Sequence, residues 1–143
     1  MCIRDSFLAL SFYLANLGAP VPDTSVDPES AARGEARFLE AGCDSCHSPS
    51  LGGVPAYSDL LLHDMGTDVT RHVDQDPGVS PTEYRTPPLW GVRDTAPYLH
   101  DGSAPGILDA VLSHGGEGSA AREAVETMDQ SAQQDLVTFL LSL

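Results

Sequence analysis

Two cysteines and a histidine with the spacing C-x-x-C-H are the residues of this sequence best placed to do chemistry: Cys43, Cys46 and His47. Two thiols at this spacing can add to the two vinyl groups on one side of a porphyrin, and the next residue can then supply an imidazole to the iron. The motif predicts one covalently attached haem c, with His47 as an axial iron ligand and electron transfer as its use.

Zinc binding and dithiol redox chemistry are the rival interpretations of paired cysteines. Structural zinc sites take four ligands, usually from two such pairs, and the sequence has no second pair. A thioredoxin-like dithiol needs a strand–helix–strand context, and no such pattern surrounds Cys43. The third cysteine, Cys2, is assigned no role, so no disulfide framework is indicated.

A haem that only carries electrons needs a second axial ligand, because an open position would let peroxide or gas reach the iron. The candidates with a suitable nitrogen or sulfur are His63, His72, His100, His114, Met65 and Met128. The residue types alone leave the choice among these side chains open.

A predicted helix leads directly into the motif. Asp27 is a suitable N-cap, Pro28 favours the first helical position, and Gly42 ends the pattern just before Cys43. Gly34 lies inside this helix, where glycine costs about 1 kcal/mol relative to alanine. We interpret Gly34 as a place where another helix approaches closely.

Further helices are predicted after residue 106, with a long irregular stretch over residues 48–103 before them. Ile107 to Ser113 and residues 119–127, capped by Ser119, are typical of short helices. Ser131 to Gln134 resembles a capping box that opens the last helix. Its predicted apolar face is Leu136, Phe139, Leu140 and Leu143.

The irregular stretch contains one predicted turn of helix, Leu60 to Leu62, and no convincing strand. A loop of this length is uncommon in a small domain unless it wraps a ligand. The expected fold class is therefore all-α, a cytochrome c-like domain with long haem-wrapping loops.

The first 26 residues are expected to lie outside the haem domain, which we assign to residues 27–143. Residues 7–17 have the apolar pattern of an amphipathic helix, and residues 18–26 have the composition of a linker. This segment is interpreted as the end of a preceding domain, with a signal peptide as the alternative. The apolar stretch is too short to span a bilayer.

The net charge of the sequence limits the classes of partner that we expect. The formal net charge is −14, and all seven basic residues are arginine. Nucleic acid and anionic membranes are not expected as partners, because binding them requires clustered Lys and Arg. The acidity fits either solubility or docking to a basic redox protein.

Two segments resemble a known family: YSDLLLHDMG (residues 57–66) and YRTPPLWGVRDTAPYLHDGSAPGILDAVLSHGGE (residues 84–117). Both are similar to the C-terminal haem domain of the di-haem oxidoreductases, peroxidase-like or thiol oxidoreductase-like relatives of bacterial di-haem cytochrome c peroxidases. The resemblance covers about residues 30–143.

The resemblance also implies a second iron ligand. In the peroxidases the C-terminal haem is the high-potential haem through which electrons enter, and it is bound by His and Met. The position of that Met is occupied here by His114. The resemblance thus implies iron bound by two histidines, which lowers the reduction potential relative to His/Met iron. Met65 is the runner-up.

Three more side chains are expected near the haem. Arg85 lies in an apolar, proline-rich stretch, so we expect it to pair with a haem propionate. The alternative is a surface ion pair with Glu83 or Asp94. Trp90 is expected to pack on the haem edge. By resemblance, His100 lies near a propionate.

The resemblance further implies a calcium ion between the two haem domains. The backbone carbonyls of Thr95 and Pro97 match ligands on this side of that ion, and the other domain supplies a side chain. We therefore do not expect this chain alone to hold calcium.

In the family, the haem that cleaves peroxide lies in the N-terminal domain, and this chain has one C-x-x-C-H motif. The chain is therefore expected to be an electron-relay domain that is not catalytic by itself. Its partner would be the N-terminal haem domain or another redox protein. The alternative is a self-contained single-haem electron carrier. Haem attachment to this motif occurs on the oxidising side of bacterial membranes, so a periplasmic location is expected.

Overall fold

The computed structural model describes residues 3–18, 20–66, 78 and 80–143, so Cys2 and His72 lie outside the described residues. The helices are α1 (Ile3–Ala15), α2 (Pro28–Glu40), α3 (Ile107–Leu112), α4 (Ser119–Glu126) and α5 (Gln130–Ser142). Two short strands are β1 (Leu62–Asp64) and β2 (Glu83–Arg85). Turns of 3-10 helix cover Cys43–Ser45, Val92–Asp94 and Gly116–Gly118.

The two strands form an antiparallel pair in which Leu62 lies opposite Arg85 and His63 lies opposite Tyr84. The domain is therefore rich in helix, as expected, but it is not purely helical. The expectation of no strand and of a helical turn at 60–62 was wrong. Pairing between segments some twenty residues apart is a tertiary contact, and a three-residue strand carries no periodic signal of its own.

Helices α2 and α5 form the centre of the core. Phe38 of α2 and Leu136, Phe139 and Leu140 of α5 are all buried. A Cβ atom at Gly34 would overlap the carbonyl oxygen of Asp135 and lie 2.7 Å from the Cβ of Phe139. This contact confirms the prediction that Gly34 marks a close approach of two helices.

A buried carboxylate reinforces the same crossing. The Oδ1 atom of Asp135 accepts a hydrogen bond from the Ser30 hydroxyl at 2.6 Å. The Nε of Arg33 donates to Oδ2 of Asp135 at 2.8 Å. The Arg33 guanidinium and the Ser30 hydroxyl hold the pKa of Asp135 below its usual value. The pair therefore ties α2 to α5 while the carboxylate is ionised.

Helix starts follow local capping chemistry, although not always at the predicted residue. Asp27 caps α2 as predicted, and its side chain accepts from the Glu29 N–H. The last helix is capped by Asp129, whose side chain accepts from the Ala132 N–H. Ser131 is therefore not its cap, because a stronger acceptor lies two residues earlier. Ser119 is likewise not a cap: it is the first residue of α4.

The first helix differs from the others in its surroundings. As predicted, the segment before the linker is helical, and none of the residues of α1 is buried. Its large apolar side chains are exposed, including Phe12 at 73%. No helix within the described residues is both long and apolar enough to cross a membrane.

Candidate functional site

The C-x-x-C-H motif forms a tight turn at the end of α2. Gly42 takes a left-handed conformation, and a single turn of 3-10 helix follows from Cys43 to Ser45. The His47 N–H donates to the carbonyl oxygen of Cys43 at 3.0 Å. This turn brings both thiols and the imidazole to the edge of the core, where Cys43 packs against the buried cluster.

Both sulfurs are neutral thiols near neutral pH. Burial raises the pKa of the Cys43 thiol to about 11. Burial also raises the pKa of the Cys46 thiol.

The His47 ring is oriented by a backbone carbonyl. Its Nδ1 lies 3.0 Å from the carbonyl oxygen of Tyr57. A carbonyl can only accept, so Nδ1 carries the proton and the lone pair of Nε2 remains available. Burial lowers the pKa of His47, which favours the neutral imidazole that a metal requires.

Tyr57 is in turn anchored in the core. Its ring makes edge contacts with Phe38 and Phe139, with centroid separations of 6.0 and 5.7 Å. The residue that orients His47 is therefore fixed by the helix α2–α5 pair. No sequence pattern marks Tyr57 for this role, because a carbonyl acceptor can come from any residue type.

His114 lies just after α3 and is oriented in the same way. Its Nδ1 lies 2.8 Å from the carbonyl oxygen of Ala110, so its Nε2 lone pair is also available. The centres of the His47 and His114 rings are 6.5 Å apart, with an angle of 54° between their planes. Two metal–nitrogen bonds of about 2 Å each to opposed imidazoles would place the ring centres roughly 6 Å apart.

The other candidate ligands have different surroundings. Met65 lies beside His114, since a Cβ at Gly118 would lie 3.2 Å from the Met65 methyl and 3.3 Å from Cδ2 of His114. Met128 packs against the hydrophobic core. His100 is exposed and its ring contacts Tyr84 at a centroid separation of 4.8 Å.

His63 is engaged through both ring nitrogens. Its Nε2 lies 2.9 Å from Oδ2 of Asp59, and its Nδ1 lies 2.9 Å from Oε2 of Glu117. The two carboxylates raise the pKa of His63, with the Glu117 hydrogen bond as the largest cause. Sulfur, carboxylate and imidazole atoms of Cys46, Asp59 and His63 lie within 4.8 Å of one another. Sequence reasoning missed the contact between His63 and Glu117, because the two residues lie 54 positions apart in the chain.

The remaining predicted contacts lie on the surface of this region. Arg85, the last residue of β2, is exposed in the chain without haem. Trp90 is half-buried. Thr95 and Pro97 are exposed.

The donor set formed by the C-x-x-C-H turn and His114 fits a haem: two neutral thiols, and two imidazoles whose Nδ1 atoms are engaged and whose Nε2 lone pairs are available. The comparisons with known proteins point to the same cofactor. A family described as "Di-haem oxidoreductase, putative peroxidase" matches residues 52–143. Methylamine utilization protein MauG of Methylorubrum extorquens is 34% identical over 85% of this chain and 36% of its own length. Cytochrome-c peroxidase IdrP2 of a Pseudomonas species is 31% identical over 85% of this chain and 41% of its own length.

One solved structure is similar in fold. A chain of hydrazine synthase from Kuenenia stuttgartiensis, in a structure pressurised with xenon, superposes with a TM-score of 0.62 at 22% identity. That match covers 88% of this chain and 50% of the other chain. The chain spans only about two fifths of the length of its curated relatives. The family match nevertheless covers most of its residues, and the chain belongs to the di-haem oxidoreductase family of haem-binding, peroxidase-like redox proteins.

Proposed function

We propose that this chain is an electron-relay domain with a cytochrome c-like fold, carrying one haem c attached through Cys43 and Cys46 and ligated by His47 and His114. The observation that carries the proposal is the arrangement of the two histidines. Their ring centres are 6.5 Å apart, and a backbone carbonyl orients each ring so that Nε2 is free. Two oriented imidazoles at this separation suit a six-coordinate iron.

The protein residues would orient the two imidazoles and keep peroxide away from the iron. The Tyr57 and Ala110 carbonyls hold the imidazoles in one tautomer, which spares the reorientation that a change in iron charge would otherwise require. When bound, the haem would supply a one-electron couple, and His47 and His114 would both hold the iron and so exclude peroxide from it. We propose that Trp90, Arg85 and His100 border the haem, with Arg85 and His100 near its propionates.

The relay role also rests on the similarity of this chain to longer relatives. The family is di-haem, which supports a second haem domain as the immediate partner. We propose that α1 belongs to that preceding domain and that the protein works in the periplasm, where haem c is attached. The alternative function is a self-contained electron carrier with residues 1–26 including a signal peptide.

A ligand-access experiment tests the proposal on the full chain loaded with haem. We expect carbon monoxide to bind the reduced protein slowly, and hydrogen peroxide with an electron donor to be turned over poorly, because both axial sites are filled. Electron exchange with small redox dyes should remain fast, since it needs only an accessible haem edge. Fast stoichiometric carbon monoxide binding with sustained peroxide turnover would contradict the relay and make this domain an enzyme.

The coding region upstream of Met1 separates the two functions. A second in-frame C-x-x-C-H motif supports the relay domain. A stop codon directly followed by a start codon at Met1 supports the single-haem carrier.

A separate experiment tests the covalent attachment. Mass spectrometry of the purified, denatured chain shows whether haem is attached to Cys43 and Cys46.

A further inference from the structure

An ion-paired histidine links two separate segments beside the candidate haem site. His63 of β1 lies between the carboxylates of Asp59 and Glu117, and each of its ring nitrogens is 2.9 Å from one of them. The side chains of His63 and Asp59 are both only 16% exposed, whereas that of Glu117 is 56% exposed. Because both nitrogens face an acceptor, the cationic imidazolium is the form that satisfies both bonds.

The Asp59 end of this bridge is attached to the support of His47. The Asp59 N–H donates to the carbonyl oxygen of Cys46 at 2.9 Å. Two residues earlier, the carbonyl oxygen of Tyr57 accepts from Nδ1 of His47. A displacement of Asp59 would therefore move the backbone that orients His47.

The Glu117 end is attached to the turn that follows His114. Glu117 also accepts from the Asp64 N–H at 3.0 Å, through its second oxygen. A Cβ at Gly116 would overlap the carbonyl oxygen of Asp64, and one at Gly115 would lie 2.7 Å from the carbonyl oxygen of Met65. The turn after His114 thus lies directly on the backbone that follows His63, and Glu117 is the side chain that fastens it there.

We propose that His63 is a positioning residue for the iron-ligand pair: through Asp59 and Glu117 it fixes the distance between the segments that carry His47 and His114. This inference rests on the proposed ligation by those two histidines. Without the imidazolium, two carboxylates would approach each other across the gap with no cation between them. Their repulsion and the lost hydrogen bonds would release the turn and weaken His114 as a ligand.

The test uses the full haem-loaded chain with His63→Gln, Glu117→Gln and the double variant. We measure the rate of carbon monoxide binding to the reduced protein and the low-spin signature of the oxidised protein. Each single variant should speed carbon monoxide binding by about tenfold, the factor expected for losing a hydrogen bond to a charged group. If His63 acts through Glu117, the double variant should add little to either single change.

Glu40→Gln is the matched control, since Glu40 is an ion-paired glutamate of similar exposure, 60%, on α2. It should leave the carbon monoxide rate within about twofold of wild type. Glu117→Gln alters an exposed side chain, so it keeps the test available if His63→Gln does not fold.

Suppose that the wild type shows two-histidine iron and that the variants bind carbon monoxide at the wild-type rate. This result would overturn the positioning role and leave the proposed function intact. Fully additive effects would also overturn it. A wild type without the signature of two-histidine iron would instead overturn the ligation on which the inference rests.

Discussion

The imidazole rings of His47 and His114 lie with their centres 6.5 Å apart, although 66 residues of chain separate them. His47 follows α2, and His114 follows α3. Each donates Nδ1–H to a carbonyl of its own neighbourhood, Tyr57 for the first and Ala110 for the second. Both rings are therefore set by the backbone before any ligand is considered, which is the condition for a preorganised site.

Replacing His114 by methionine should raise the reduction potential of the haem. A thioether favours ferrous iron more than an imidazole does. The oxidised His114→Met variant should also gain the near-infrared charge-transfer band of His/Met iron, which the wild type should lack. Met65→Leu is the control and should leave the wild-type spectrum unchanged. If the wild type already has that band and Met65→Leu removes it, Met65 is the ligand.

Removing both motif cysteines should abolish covalent haem and leave a largely unfolded chain. Cys43 packs against the core. The described residues between α2 and α3 have little regular structure to hold them without a cofactor. The measurement is haem staining after denaturing electrophoresis, together with thermal unfolding followed by circular dichroism. Cys2→Ala should retain haem and a normal transition. A Cys43→Ala, Cys46→Ala protein with a cooperative native-like transition would refute this prediction.

Gly34→Ala should destabilise the domain even though alanine is the better helix former. The added methyl would overlap the Asp135 carbonyl, so α2 and α5 would have to separate. Overpacking of this kind costs about 1–3 kcal/mol. Denaturant titration of the haem-loaded chain measures the loss. Gly18→Ala is the matched control, because nothing lies within 4 Å of a Cβ at Gly18. Equal stabilities of the two variants would contradict the close packing.

Acid should weaken the α2–α5 contact through Asp135. Arg33 and Ser30 lower the pKa of this carboxyl from its usual value of 3.8. A lowered folded-state pKa means that the stabilisation is present above about pH 4 and is lost as the pH falls through the folded pKa. Asp135→Asn should therefore reduce the dependence of unfolding free energy on pH below about pH 4.

The control for that experiment is Asp94→Asn, at a carboxylate that is 76% exposed beside Arg93. Its unfolding free energy should depend on pH below about pH 4 as that of the wild type does. If the unfolding free energies of the wild type and of Asp135→Asn showed the same dependence on pH in this range, another group would control stability in acid.

Local patterns allowed the helices to be predicted closely. Asp27, Pro28 and Gly42 mark the start and end of α2, because capping and backbone preference act within a few residues. The capping box at Ser131 was wrong for a local reason as well, since Asp129 competes for the same N–H groups. The small sheet was missed, because its partner strands are too short to carry a pattern.

The sequence by itself determined the residue types and the spacing of the motif and its place after a helix, since C-x-x-C-H is a contiguous segment that follows a locally capped helix. It also named His114 by resemblance. Only the tertiary structure decided that His114 lies near His47, that carbonyls orient both rings, and that His63 joins Asp59 to Glu117. These relationships depend on how α2, α3 and β1 pack, and backbone acceptors and long-range ion pairs leave no mark in residue types or spacing.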